Sequence, residues 1–421
     1  MSTFRFIHCS DLHIDSPFKG LGEVHPQLAS RLREAAAAAW RNIVDLALRE
    51  QVDAVLVAGD IFDSADHSLR AQFKFRDGLN RLAAAGIPAF IACGNHDPLD
   101  SWTRSLNLPA GVTLFPGDRV ETAAVKRDGQ TLARVHGISF PRREVRDNLT
   151  PHFQRRSVPA GGASGFEVGV LHANVGGDPD HDSYAPCTVE DLAGLGFDYW
   201  ALGHVHAHRV LRPSRPAVVY CGNSQGRHFR ETGARGCCLV TLREGADPEI
   251  RFMVTDAARF FEAAVDLSAA GTVDAALDRM GERVDALAGE AGDRPLAVRL
   301  TLTGRTCLHK ELQGNRVLEY LTEQVETRFE EDRMRVELTD ATRGFHDLDQ
   351  LRSGQDFIAD LIALYDQALQ ELDPSLKAVL DPVFDSWQGG GWVDPPDPAE
   401  WRELLSRARD RTLDQLLDTE E

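Results

Sequence analysis

A chain of 421 residues, 43% apolar and 26% charged, is long enough for two or three domains and has the composition of an ordinary globular protein. It has no run near the ~18 apolar residues of a membrane helix and no signal-peptide pattern at its start. Its seven Cys contain no C-x-x-C, so a soluble protein in a reducing, cytoplasmic setting is expected, with no membrane partner. The net charge of -19 argues against nucleic acid, but it is unevenly spread. Residues 356–421 carry sixteen acids and five bases, a net of -11, whereas 204–235 carry six Arg against Glu231, a net of +5.

The apolar run "FRFIHCS" (4–10) predicts a strand. Pro26 and the Ala-rich stretch behind it predict a helix over 26–50. "DAVLVAGD" (53–60) predicts a strand that runs straight into a loop. Ser68 is placed as the cap of a helix stopped by Gly86. "IPAFIACGN" (87–95) predicts another strand, and this βαβαβ start implies buried strands with helices on the sheet faces. After residue 110 the pattern turns β-rich, with strands expected within 131–140, 166–174, 197–206, 217–223 and 236–244. Two packed sheets with helices outside are the expected α+β or α/β architecture.

A second unit begins near 255. Strands at 260–268, 295–305 and 334–340 alternate with helices over 272–290 and 314–330, the pattern of a small split βαβ domain. Helices are expected over 356–371, 374–384 and 398–418, interrupted by the turn-rich "WQGGGWVDPPDP" (387–398). The boundaries read from this are 1–253, 254–352 and an acidic helical region, 353–421.

Five strand ends share a chemistry. "SDLHID" (10–15), "GDIFD" (59–63), "GNHD" (94–97), "LHAN" (171–174) and "GHVH" (203–206) each follow an apolar run and each deliver Asp, His or Asn. Ligands collect at such ends because strands fix the loops beyond them. Imidazole, carboxylate and amide oxygen suit divalent Mn, Fe or Zn, and no thiolate set marks a structural zinc. Asp11 and His13, like His204 and His206, stand two apart, so on extended backbone each pair points one way and grips one ion. Seven ligands from five segments suit two ions sharing a bridge. Such ions, about 3.5–4 Å apart, activate water and bind phosphoryl oxygens during in-line attack. His96 is placed to protonate a leaving group, with Asp97 orienting it, and Asp63 lies behind the ligands. Asp15, His8, His67, His136 and His208 are read as loop, core or surface residues, and Cys9, Cys93 and Cys221 as small buried hydrophobes.

The ordered set D-x-H, G-D-x-F-D, G-N-H-D, an isolated His and G-H-x-H resembles the calcineurin-like metallophosphoesterase superfamily over residues 10–206. The closest resemblance is to SbcD-type nucleases of DNA double-strand-break repair, in their YhaO-like branch. It rests on "FIHCSDLHIDSPFKGL", "GISFPRREVRDNL" and "YCGNSQGRHFRETGARGC". The resemblance implies a two-sheet β-sandwich nuclease domain flanked by helices, followed by a small α/β cap. It implies one ion on Asp11, His13 and His206, another on Asn95, His172 and His204, Asp60 bridging, and His96 acting on the leaving group. It further implies two divalent ions, Mn²⁺ first and Fe, Zn or Mg as alternatives. Exonuclease action on DNA ends, single-strand nicking, a homodimer and an SMC-like coiled-coil ATPase partner belong to the same expectation. Arg227 and His228 are expected on the DNA backbone, while the Arg-rich stretch 141–156 stays open between a DNA-binding arm and a solvated or internally paired face. The competing reading is a phosphoesterase of the same superfamily acting on a small phosphodiester or a phosphoprotein. Trp387, Trp392 and Trp401 are read as pinning a tail helix before serving a partner.

Overall fold

A computed structural model describes residues 2–16, 26–63, 68–101, 107–154, 165–177, 182–330, 333–371 and 398–417. The chain forms two compact units: Met1–Ala263 with Val284–Arg299 and Glu326–Glu337, and Ala264–Arg283 with Leu300–Val325 and Leu338–Glu421. The sequence-based cuts at 253 and 352 group the residues differently, since the second unit draws on both 254–352 and 353–421.

In chain order the first unit opens with β1 (Thr3–Cys9), α1 (Pro26–Glu50), β2 (Ala54–Ala58), α2 (Leu69–Ala84), β3 (Ala89–Ala92) and β4 (Val112–Leu114). It continues with β5 (Glu121–Arg127), β6 (Gln130–Gly137), β7 (Phe166–His172), α3 (Val189–Ala193) and β8 (Tyr199–Gly203). Then come β9 (Arg209–Arg212), β10 (Ala217–Tyr220), β11 (Gly236–Arg243) and β12 (Glu249–Val254). Two six-stranded sheets result, ordered β12-β11-β1-β2-β3-β4 and β5-β6-β7-β8-β10-β9. Strands β1, β2 and β3 pair in parallel, as do β6, β7, β8 and β10.

Period-2 patterning decides which face each side chain takes. Phe4, Phe6, Ala54, Leu56 and Phe90 point between the sheets, where they meet Val168, Val170, Tyr199 and Ala201. Ile7, Cys9, Val55, Val57 and Ile91 point the other way, onto Trp40, Ile43, Phe75 and Leu79 of α1 and α2. Ser68 caps α2 by accepting from the Ala71 N–H at 3.1 Å. The first unit is therefore a sandwich with a helical layer. The expected strands and both long helices are present, and strands β4, β5, β9 and β12 are additions that the sequence reading did not place.

Beyond these lie β13 (Arg259–Asp266), α4 (Val273–Ala291), β14 (Leu296–Thr303), β15 (Arg305–Thr306), α5 (His309–Leu312), α6 (Asn315–Glu326), β16 (Met334–Asp340), β17 (Arg343–Gly344), α7 (Leu348–Arg352), α8 (Phe357–Glu371) and α9 (Pro398–Leu417). A three-stranded sheet runs β13-β14-β16, and β15 pairs with β17. Within the second unit, the Asp414 carboxylate of α9 accepts from Arg305 at 2.8 and 3.0 Å, from Arg343 at 3.0 Å and from His346 at 2.9 Å. Leu413 beside it is fully buried. Trp401 on α9 is half-buried, while Trp387, Trp392, the helix expected over 374–384 and the linker up to 397 lie outside the described residues. No helix among the described residues is long and apolar enough to cross a membrane.

Candidate metal centre

The parallel strands of both sheets deliver their C-terminal ends to one place. Strand β1 leads into Asp11 and His13, β2 into Asp60, β3 into Asn95, β7 ends at His172, and β8 leads into His204. The first two loops run side by side, with Asp11 N–H donating to Gly59 O at 2.9 Å and His13 N–H to Asp60 O at 3.1 Å. The sheets nearly touch here. A Cβ on Gly203 would lie 1.8 Å from Ala58 O, and one on Gly94 would lie 2.2 Å from Asp60 Oδ1. Only glycine fits at either position.

Of the seven non-glycine residues with positive φ among those described, four are candidate ligands: Asp11 (50°), His13 (42°), Asp60 (54°) and His204 (101°). Such backbone costs on the order of 1–3 kcal/mol per residue and collects at functional sites. It also corrects the parity argument. Asp11 and His13 converge through left-handed turns, not along an extended segment, and His204 and His206 separate. His206 joins Asp11 and His13, with Nε2 3.8 Å from Asp11 Oδ1, whereas the His204 ring packs 5.2 Å from that of His172.

Three tight donor groups occur among the described residues: Asp11, His13 and His206; Asp11, Asp60 and His172; and His13, Asp63 and His96. Within each, the ligand atoms lie within 4.8 Å of one another. Asp60 Oδ2 stands 3.5 Å from His172 Nε2 and 4.0 Å from His13 Nε2, between the first two groups. His172 donates Nδ1–H to Ala58 O at 2.9 Å, which leaves Nε2 facing Asn95 Oδ1, also at 2.9 Å. His204 is fixed differently, with Nε2 2.8 Å from Asp182 O and its backbone N–H 3.2 Å from the Asp11 carboxylate.

The fit to a cation is sharpest at His13. This imidazole is fully buried, its Nδ1 lies 3.3 Å from Asp63 Oδ1, and its Nε2 has no hydrogen-bond partner among the described residues. An orphaned buried nitrogen costs about 1–3 kcal/mol. A divalent ion held by His13 and its neighbours Asp11, His206 and Asp60 would remove that cost with the donor types such ions prefer.

Residues 4–208 match the calcineurin-like phosphoesterase family, and residues 260–343 match the middle domain of metallophosphoesterase YhaO. A Bacillus subtilis (strain 168) protein named uncharacterized metallophosphoesterase YhaO is 36% identical over 304 residues, 72% of each chain. The chain belongs to the calcineurin-like metallophosphoesterase family. This metallophosphoesterase is also similar to the DNA double-strand break repair protein Mre11 of Thermoplasma acidophilum, at 28% identity over 57% of this chain and 62% of that one. A third relative is one component of the nuclease SbcCD of B. subtilis, at 24% identity over 58% of this chain and 67% of that one. A calcineurin-like phosphoesterase is a hydrolase, and its family builds a dimetal centre.

The electrostatics of the metallophosphoesterase centre suit ligands and an acid. Burial holds His13 and His204 near 4, unprotonated at neutral pH, which is the state a ligand needs. Burial also works against charge on His96, but its bond to Asp63 and the nearby Asp60 carboxylate lift it to about 9. Asp63, held well below the usual range by His13 and His96, is the carboxylate that orients His96, at 3.1 Å from Nδ1. The role expected of Asp97 is thus corrected. Asp97 is buried and accepts from the N–H groups of Gly94 at 2.8 Å, Ile61 at 2.9 Å and Asp60 at 3.1 Å. It ties two loops together, because buried amides without strand partners need an acceptor.

Arg227, expected on the DNA backbone, is turned inward, with its side chain 11% exposed. The buried Glu231 carboxylate draws it in at 3.2 Å, and its other terminal nitrogen lies 3.4 Å from Ser16 Oγ and 3.6 Å from Asp63. His228 is half-exposed, and Arg230 is exposed. Arg215 and Arg235 are likewise committed internally, Arg215 to Asp198 at 3.3 Å and Arg235 to His206 O at 2.7 Å. The +5 stretch is therefore less of a surface than its sequence suggested. Residues 141–154 form a loop ending in a short 3₁₀ turn, Thr150–His152, while Arg155 and Arg156 lie outside the described residues.

Sequence reasoning missed three contributors. Asp15 accepts from Asp63 N–H at 2.7 Å, Ser16 donates to Asp63 Oδ2 at 2.9 Å, and Glu231 sits 2.7 Å from His206 Nδ1. Asp15 shares the parity of Asp11 and His13, and Glu231 is the lone acid among six Arg, a contrast that marks an internal partner. The bland readings of His8 and His136 match closed hydrogen-bond sets, and Cys9, Cys93 and Cys221 are buried free thiols. His208 points Nδ1 at Tyr220 O, 3.1 Å away, and stacks on Phe252. His67 lies outside the described residues.

Proposed function

We propose that this chain is a metal-dependent DNA nuclease that hydrolyses phosphodiester bonds at DNA ends and in single strands. The observation that carries the hydrolytic part is Asp60, whose carboxylate stands between two imidazole-bearing donor groups while it accepts from the His96 N–H at 3.0 Å. Asp11, His13 and His206 would hold one ion, Asn95, His172 and His204 the other, with Asp60 shared. Two divalent ions, Mn²⁺ foremost, would supply Lewis acidity toward phosphoryl oxygens and lower the pKa of water.

The chain's own residues do the rest. His96 keeps Nδ1 on Asp63, so Nε2 carries the exchangeable proton toward the open side of the site, where the imidazole is 33% exposed. That proton is delivered to the departing oxygen. Asp63 keeps the ring oriented through each cycle. Asp97 holds the two ligand loops at a fixed spacing, which keeps the site preorganised. His228 and Arg230 supply exposed donors for a phosphate backbone, which favours binding without base readout.

The choice of DNA as substrate is supported by the names of relatives, a DNA double-strand break repair protein and one component of a nuclease. The second name, that of one subunit of a larger nuclease, also supports assembly with a further subunit, for which an SMC-like coiled-coil ATPase is our proposal. The test is direct. Purified protein with Mn²⁺ is incubated with linear duplex DNA, single-stranded DNA and bis-p-nitrophenyl phosphate. Degradation of both DNAs is expected. Hydrolysis of the small ester with both DNAs intact overturns the nuclease reading in favour of a small-phosphodiester or phosphoprotein substrate.

A further inference from the structure

The segment between β10 and β11 brings two opposed neighbours to one nitrogen. Glu231 Oε1 lies 2.7 Å from His206 Nδ1, and an Arg227 terminal nitrogen lies 3.4 Å from that same Nδ1. The glutamate side chain is 5% exposed, and its other oxygen accepts from the Arg227 backbone N–H at 2.8 Å, so the carboxylate is locked in place. A carboxylate only accepts, and a guanidinium only donates. Facing the carboxylate, Nδ1 carries the ring proton and Nε2 keeps its lone pair. Facing the guanidinium, Nδ1 becomes the acceptor and the proton moves to Nε2. It is Nε2 that points to Asp11, at 3.8 Å.

We propose that Glu231 is a positioning residue of the metal centre: it overrides Arg227 and fixes His206 in the tautomer whose Nε2 can bind an ion. The inference rests on His206 being a metal ligand. It adds that the identity of one buried carboxylate, outside every expected ligand position, sets the affinity of one ion and not of the other. Partners of this kind typically change metal affinity 10–100-fold. Arg227 is then more than a counter-ion. Once Glu231 is removed, the arginine opposes metal binding.

The experiment titrates Mn²⁺ by calorimetry into EDTA-stripped wild type, E231A, E231Q, H206A and the double variant R227A/E231A. Two tight ions are expected in the wild type and one in H206A. In E231A one of the two steps, the one lost in H206A, should loosen about 10–100-fold, with the other unchanged, and E231Q should fall between. Electron paramagnetic resonance at two equivalents should then show isolated Mn²⁺ where the wild type shows a coupled pair. The double variant should recover several-fold relative to E231A, because the opposing donor is gone. Nitrogen shifts of labelled histidine in the metal-free protein, assigned with H206A, should show the proton leaving Nδ1 in E231A.

Urea denaturation of each metal-free variant separates this from loss of fold. If E231A does not fold, E231Q and the double variant, which leaves no buried unpaired charge, decide the matter. Wild-type affinity in E231A and E231Q, or a double variant no tighter than E231A, overturns the proposal while leaving His206 a ligand. Two tight ions in H206A overturn the underlying reading itself.

Discussion

Two clusters of buried histidine and carboxylate sit in the same sandwich, and only one is built like a site. On β6 and β7, His136 bonds Thr122 at 2.9 Å and Glu167 at 2.6 Å, while Arg134 reaches Glu167 at 2.9 Å. Each of those ring nitrogens and carboxylate oxygens has a partner, and none of the four residues has a positive φ. At the strand ends, His13 Nε2 has no hydrogen-bond partner among the described residues and four candidate ligands sit on left-handed backbone. Buried charge alone is therefore uninformative. What separates a cofactor site from a structural network is unfilled coordination held in place at a cost in strain.

Each substitution that follows can break or sharpen this contrast. The largest effect is expected from Asp60→Ala, which should cut Mn²⁺-dependent hydrolysis of bis-p-nitrophenyl phosphate by about 10³-fold. Its urea midpoint in EDTA should change little. Collapse of the metal-free fold would move this cluster into the structural class. Next comes His96→Gln, with kcat lower by about 10²–10⁴-fold and both ions retained on elemental analysis. A fully active variant would remove His96 from the leaving-group role.

Glu167→Ala should behave in the opposite sense. It strands Arg134 and His136, so stability should fall by about 3 kcal/mol, while activity per folded molecule and metal content stay at wild-type levels. Lost activity at unchanged stability would erase the distinction between the clusters. The last effect is absent at neutral pH and belongs to His8, which burial pushes from 6.5 to about 3. A depressed histidine favours the fold fully above 6.5 and loses that contribution as pH falls toward 3. The slope is about 1.4 kcal/mol per pH unit. Urea midpoints between pH 7 and 4 should therefore fall more steeply for wild type than for His8→Gln, and equal slopes would refute the assignment.

Much of this was legible in the chain itself. Apolar runs of period 2 placed the strands, the Ala-rich stretch after Pro26 placed α1, and Ser68 announced α2, because those signals are local. The loops that carry the candidate ligands were legible because an acid or imidazole directly after an apolar strand is unusual. The division of labour among them was not. Asp97 is adjacent in sequence to His96, yet it serves amides on β2's loop, 36 and 37 residues away. Glu231 meets His206 only after β9 and β10 have folded back, 25 residues later. Parity failed at His204 and His206, and it grouped Asp11 with His13 on a premise of extended backbone that the positive φ at both residues violates. Pair contacts across loops depend on the assembled sandwich, which no single-segment pattern encodes.

The approach of Gly203 to Ala58 O has a consequence for how this centre can vary. Main chain from one sheet rests against main chain from the other, so the distance between β2's candidate ligand and those of β7 and β8 is a dimension of the scaffold. A methyl group at residue 203 would act as a wedge, prising the two halves of the centre apart before any ligand was altered. Chemistry here is adjustable by exchanging donors. Span is not, and new substrates would have to be accommodated from the rim.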